Sequence, residues 1–141
     1  MSASNDEELA ILDARFGSGT PTTWYVGLST ATTEPADDGT GVTEPSGGGY
    51  ARVEVANTVG NFPAATLVSD GAGGQIGDKT HANAVTFPTA TADWGTAHWG
   101  LMFPAATGGT YRYRVQLDTA KAVATGDTPS FAAGALHFRV D

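Results

Sequence analysis

The stretch Ala97-His-Trp-Gly-Leu-Met-Phe-Pro-Ala-Ala-Thr-Gly-Gly-Thr-Tyr-Arg-Tyr-Arg-Val-Gln-Leu117 decides how the chain is read. Trp99, Leu101 and Phe103 alternate with His98, Gly100 and Met102, and Ala106-Thr-Gly-Gly109 then supplies a turn. After it, Tyr111, Tyr113, Val115 and Leu117 alternate with Arg112, Arg114 and Gln116. Successive side chains of a strand point to opposite sides, so this period predicts a β-hairpin whose large apolar residues share one face. A hairpin alone is marginal in water, and other strands must cover that face.

Working outward, the chain supplies them. Upstream, residues 84–87 read as a strand joined to the hairpin by the connection 88–95, and weaker strands lie near Leu67 and Ile76 around the turn Asp70-Gly-Ala-Gly-Gly74. Residues 50–57 place Ala51, Val53 and Val55 inward and Arg52 and Glu54 outward, and residues 22–30 place Trp24, Val26 and Leu28 opposite Tyr25, Gly27 and Ser29. Downstream, residues 120–124 form a short strand, 126–129 turn, and 135–140 close the chain with Leu136, Phe138 and Val140 inward and His137 and Arg139 outward. About eight short strands at this spacing predict an all-β fold, a single antiparallel β-sandwich or jelly-roll-like domain. Residues 31–49 hold Glu34, Asp37, Asp38, Glu44, two prolines and Gly47-Gly-Gly49, too polar and turn-rich for regular structure. Loops of that length tend to bind something or to pack on a partner.

One helix is expected, over residues 4–16. Ser4 and Glu7 form a capping box, acidic residues fill the first turn, and Gly17 offers a left-handed stop. Leu9, Leu12 and Phe16 make a stripe that docks either on its own domain or on a neighbouring subunit. The expected organisation is therefore a helical arm, 1–17, followed by a β-sandwich domain, 18–141. Phe-Pro-Ala-Ala-Thr occurs at 62–66 and again at 103–107, where it serves as a way out of a strand rather than as the mark of a duplicated unit.

Composition narrows function. A net charge of −8, with two lysines and five scattered arginines, argues against a nucleic-acid surface. No apolar run is long enough for a membrane helix, and the acidic N-terminus is unlike a signal peptide. Without cysteine there is no disulfide framework and no thiolate metal site. Nothing suggests catalysis: Gly17-Ser-Gly19 and Ser46-Gly-Gly48 are loops rather than nucleophile elbows, and Asp37 beside Asp38 says nothing about separation across a scissile bond. His81, His98 and His137 lack the paired spacing of a zinc site, and Asp70 with Asp78 reads as a turn more readily than as a calcium loop. No metal, cofactor or enzymatic activity is expected. Trp24 and Trp99 are in phase with core residues, while Trp94 is placed either to lock a loop or to touch a ligand. Arg112 and Arg114 face solvent or pair with an acidic loop.

Several stretches resemble a known family. Tyr25-Val-Gly-Leu-Ser-Thr30, Glu44-Pro-Ser-Gly-Gly-Gly-Tyr-Ala-Arg-Val53, Val85-Thr-Phe-Pro-Thr-Ala-Thr-Ala-Asp-Trp-Gly95, Ala105-Ala-Thr-Gly-Gly109 and Gly126-Asp-Thr-Pro-Ser-Phe-Ala-Ala-Gly-Ala-Leu136 are similar, in this order, to small virion proteins of tailed bacteriophages. Members are often labelled tail fibre proteins, and others look like head decoration or cement proteins. The resemblance implies a structural protein of the virion, made in the host cytoplasm, with capsid decoration as the first expectation and a tail fibre, receptor-binding or carbohydrate-binding module as the alternative. The partners it implies are the major capsid protein or other virion proteins, and sister copies in a closed homo-oligomer such as a trimer, with neither nucleic acid nor membrane. Leu9, Leu12, Phe16, Asp37, Asp38, Glu44, Trp94, Arg112 and Arg114 are the candidate interface residues.

Overall fold

A computed structural model describes residues 4–140. Residues 1–3 of the expected arm and Asp141 of the expected domain lie outside the described residues. Among those described, one helix, α1 (Asn5–Arg15), precedes nine strands: β1 (Ser18–Ser29), β2 (Val53–Thr58), β3 (Thr66–Ser69), β4 (Gln75–Thr80), β5 (Val85–Thr86), β6 (Gly95–Phe103), β7 (Tyr113–Val123), β8 (Ser130–Phe131) and β9 (His137–Val140). They form sheets in the orders β2-β1-β6-β7, β3-β4-β9 and β5-β8, with antiparallel pairing. The all-β antiparallel class with one short N-terminal helix is borne out. The chain divides into two compact units, the first made of the segments up to Thr23, Ala56–Ala84 and from Ala132, the second of Trp24–Val55 and Val85–Phe131.

The first unit is built around α1. Ser4 Oγ accepts the Glu7 amide at 3.3 Å, and Gly17 follows the helix at φ +95°. Leu12 and Phe16 are fully buried, Phe16 stacking on Phe138 at 4.6 Å and tilting against Phe62 at 5.2 Å. Of the two docking options for the helix stripe, its own chain takes Leu12 and Phe16. The seat on β4 is close because Gly77 has no side chain: a Cβ there would lie 3.0 Å from Glu8 Cβ and 3.2 Å from Leu12 Cδ1. In its place the Gly77 amide donates to Glu8 Oε2 at 2.7 Å. Asp13 adds a second tie, to Lys79 Nζ at 2.6 Å and to the Ala65 amide at 2.8 Å. The β3–β4 turn closes on itself, with Asp70 Oδ1 accepting the amides of Ala72 and Gly74.

The second unit carries the hairpin that the opening stretch predicted, with a different face assignment. Sequence alternation put Trp99, Leu101 and Phe103 on the same side as Tyr113, Val115 and Leu117. Register instead pairs Trp99 with Gln116, Gly100 with Val115, Leu101 with Arg114 and Met102 with Tyr113. Residues opposite one another share a face, so the two apolar rows lie on opposite faces of the sheet. Both faces are needed because β6 is central, between β1 and β7, and Met102 is as buried as Leu101. On one face Trp24 meets Tyr113 edge-on at 5.9 Å; on the other, Tyr111, just ahead of β7, packs with Trp99, Leu101 and Phe103. Trp24 and Trp99 are buried as their phase required. The strand expected over 120–124 is the end of one long β7, and the two-residue β8 follows the 126–129 turn in a stretch to which the sequence assigned no element.

Candidate functional site

The 31–49 loop of the second unit has no regular secondary structure, yet it is fixed at both ends and along its length. Buried Ser29 begins this: its Oγ accepts the Thr43 amide at 3.0 Å, while the Thr30 amide donates to Thr43 O at 2.8 Å, so the returning limb is tied beside the end of β1. Glu34 and Asp37 then both meet Arg114 of β7, Glu44 meets Arg52, and Gly48 meets Trp94.

The inner set of contacts centres on Arg52, which the sequence pattern placed outward. Its side chain is 5% exposed. Nε and Nη2 grip Glu44 at 3.0 and 2.6 Å in the two-pronged geometry that a guanidinium offers a carboxylate. Nη1 donates to the carbonyls of Ala105 and Gly108, each at 2.8 Å, and the guanidinium carbon lies 3.4 Å from the centre of the Phe103 ring. The reason for the departure from alternation is polar satisfaction: a buried cation is tolerated when paired, hydrogen-bonded and stacked. Tyr50 completes the set, donating to Glu44 Oε1 at 2.8 Å and accepting the Leu28 amide at 2.9 Å. Burial, reinforced by the Glu44 charge, pushes the Tyr50 hydroxyl well above the ordinary tyrosine range, which keeps that donor protonated. Under the cluster lies Gly27, where a Cβ would come within 3.0 Å of Glu44 Oε1, Tyr50 Oη and Phe103 Cε2.

Trp94 locks the end of the loop. Its indole Nε1 donates to Gly48 O at 2.8 Å, its ring meets Tyr50 edge-on at 5.3 Å, and it is 6% exposed. Gly48, at φ +60°, allows the approach, since a Cβ would sit 3.1 Å from that indole and 3.0 Å from Ala92 O.

The outer set joins exposed carboxylates to the partly exposed Arg114. Arg114 reaches Glu34 at 2.9 Å and Asp37 at 2.7 Å, and Tyr111 donates to Ala36 O at 2.5 Å. The bonds to Asp37 and Glu34 raise the Arg114 pKa beyond even the usual guanidinium value. Asp38 organises the turn itself: its Oδ1 accepts the Thr40 amide and hydroxyl at 2.9 and 2.7 Å, and these bonds hold its carboxyl below the usual carboxylate range.

Of the candidate residues, Asp37 and Arg114 meet directly, Glu44 and Trp94 join the same loop's fastenings, and Asp38 serves its own turn. Arg112 is exposed on the approach to β7, where its amide donates to Met102 O. Leu9 is half-buried, and Leu12 and Phe16 lie inside the first unit. Sequence reasoning missed Gly27, Tyr50, Arg52 and Tyr111 as members of this arrangement. Gly27 carried the one usable signal, because glycine inside a strand marks a close approach from outside the backbone. Among the described residues, no three His, Asp or Glu side chains gather as metal ligands. No helix among them is long and apolar enough to cross a membrane. Chemically, the arrangement fixes a long loop in one shape. A search among curated proteins finds no match. A family model described as "Podophage GP4 fiber I protein gp80" matches residues 2–139.

Proposed function

The chain belongs to the podophage GP4 fiber I protein gp80 family of phage virion structural proteins, and on that premise we propose that it is a non-catalytic subunit of the fibre apparatus. The family description favours a fibre over capsid decoration. The observation that carries a purely architectural role is the loop itself. Its inner ionisable groups are matched to one another and to backbone carbonyls, which spends them on shape. The surface left for docking is the outer part of the same loop, with Asp37 and Asp38 exposed, together with Arg112. Contacts there with other virion proteins or with sister copies in a closed ring such as a trimer are individually modest, and repetition around a symmetric particle supplies avidity.

Gold-labelled antibody against the protein on intact virions tests the assignment. Label confined to the tail is the expected result. Label spread over the head overturns the fibre reading and makes the protein a decoration subunit.

A further inference from the structure

We propose that a groove in the second unit, between β7 and the β5–β8 ribbon, binds a small amphiphile: an apolar body bearing one carboxylate. The groove encloses about 280 Å³. At a liquid-water share of ~30 Å³ per molecule, that is room for a ligand of roughly ten non-hydrogen atoms. Phe87 and Phe131, 6.1 Å apart and edge to face, line it together with Leu117 and Val123. The apolar part of this lining favours a ligand body that sheds water on entry, and the polar part favours a ligand with a polar head.

The carboxylate is inferred from Lys121. It lines the groove together with the hydroxyl-bearing Thr119 and Ser130, and it is exposed. Arg52, Lys79, Arg114 and Arg139 each rest on a carboxylate of this chain, whereas Lys121, among the described residues, has no acidic partner. In a chain of net charge −8, an unpaired ammonium beside an apolar groove is the natural seat for an anion, and a neighbouring hydroxyl can donate a second bond to it. The contrary reading is that the lysine stem merely covers apolar surface while its head stays in water. The two readings differ in what they ask of the ligand's charge. The site does not depend on whether the protein sits on head or tail.

The test is titration of the full chain with octanoate and, separately, with 1-octanol, followed by amide chemical shifts. Saturable shifts along β7 and β8 are expected for both, with octanoate about three- to fivefold tighter, the range of an exposed ion pair. Lys121→Gln removes that preference and leaves octanol binding unchanged, while Phe131→Ser weakens both. Equal affinity of the two probes for the unaltered chain, an undiminished preference in Lys121→Gln, or the absence of saturable shifts at the groove overturns the proposal.

Discussion

Arg52 and Arg114 both bind carboxylates of the 31–49 loop, under opposite conditions. The Arg52 side chain is 5% exposed and that of Glu44 25%, whereas Arg114 is 29% exposed and Glu34 and Asp37 are 61% and 90%. Distances hardly separate the two clusters. Solvent does: an exposed pair is screened and contributes little, while a buried one has already given up its hydration and becomes costly when one partner is removed. The inner cluster therefore fixes the loop's path, and the outer one adjusts its surface.

The largest break in this comparison comes from Arg52→Met, which strands the Glu44 carboxylate and releases the carbonyls of Ala105 and Gly108. A loss of about 3 kcal/mol is expected, toward the low end for a broken buried pair because Glu44 keeps some water contact. Thermal unfolding should show it as a fall in Tm of about 10 °C. An unchanged Tm would erase the distinction between inside and outside.

Gly27→Ala comes next. It leaves every charge in place and forces a methyl against Glu44, Tyr50 and Phe103, at a cost of about 1–3 kcal/mol in denaturant unfolding. A neutral result would mean the cluster can shift without penalty.

A buried group without an ion pair sharpens the point that burial is what matters. His81, in the first unit, accepts the Leu136 amide at Nε2 and contacts Asn83 O through Nδ1, and burial lowers its pKa. The Leu136 bond requires an unprotonated Nε2, so the folded state resists protonation more than the unfolded chain does. Its contribution is complete above about pH 6.5, the unfolded value, and declines as pH falls below that, by no more than ~1.4 kcal/mol per unit. Denaturant unfolding between pH 7 and 5 should show this slope, and His81→Gln should flatten it.

The smallest effect belongs to Arg114→Ala, below about 1 kcal/mol. The loss should shrink further in ~1 M salt, where the screening length is ~3 Å. A salt-insensitive loss would move this pair into the inner class.

What could be read from the sequence follows the range of the interactions. The Ser4 cap, the Gly17 stop and the hairpin around Asp70 are settled within a few residues, and local pattern reached them. The division of β1 into two faces was equally legible, since period two is a property of a single strand. Register across the hairpin was not, because it depends on how the nine residues from Pro104 to Arg112 are spent between β6 and β7. Arg52 was hidden for a related reason: its partners stand at Glu44, Phe103, Ala105 and Gly108, and alternation sees none of them. The candidate residues Asp37, Glu44, Trp94 and Arg114 were visible as charged or aromatic groups in the right segments, without the pairings that give them their roles.

The β3–β4 turn has a practical consequence. Asp70 satisfies its amides locally, and Gly71 and Gly73 have open space around them. Foreign peptide spliced in at this tip would enter open space at the cost of the two short-range bonds to Asp70, which makes it a graft point for an epitope or an affinity tag.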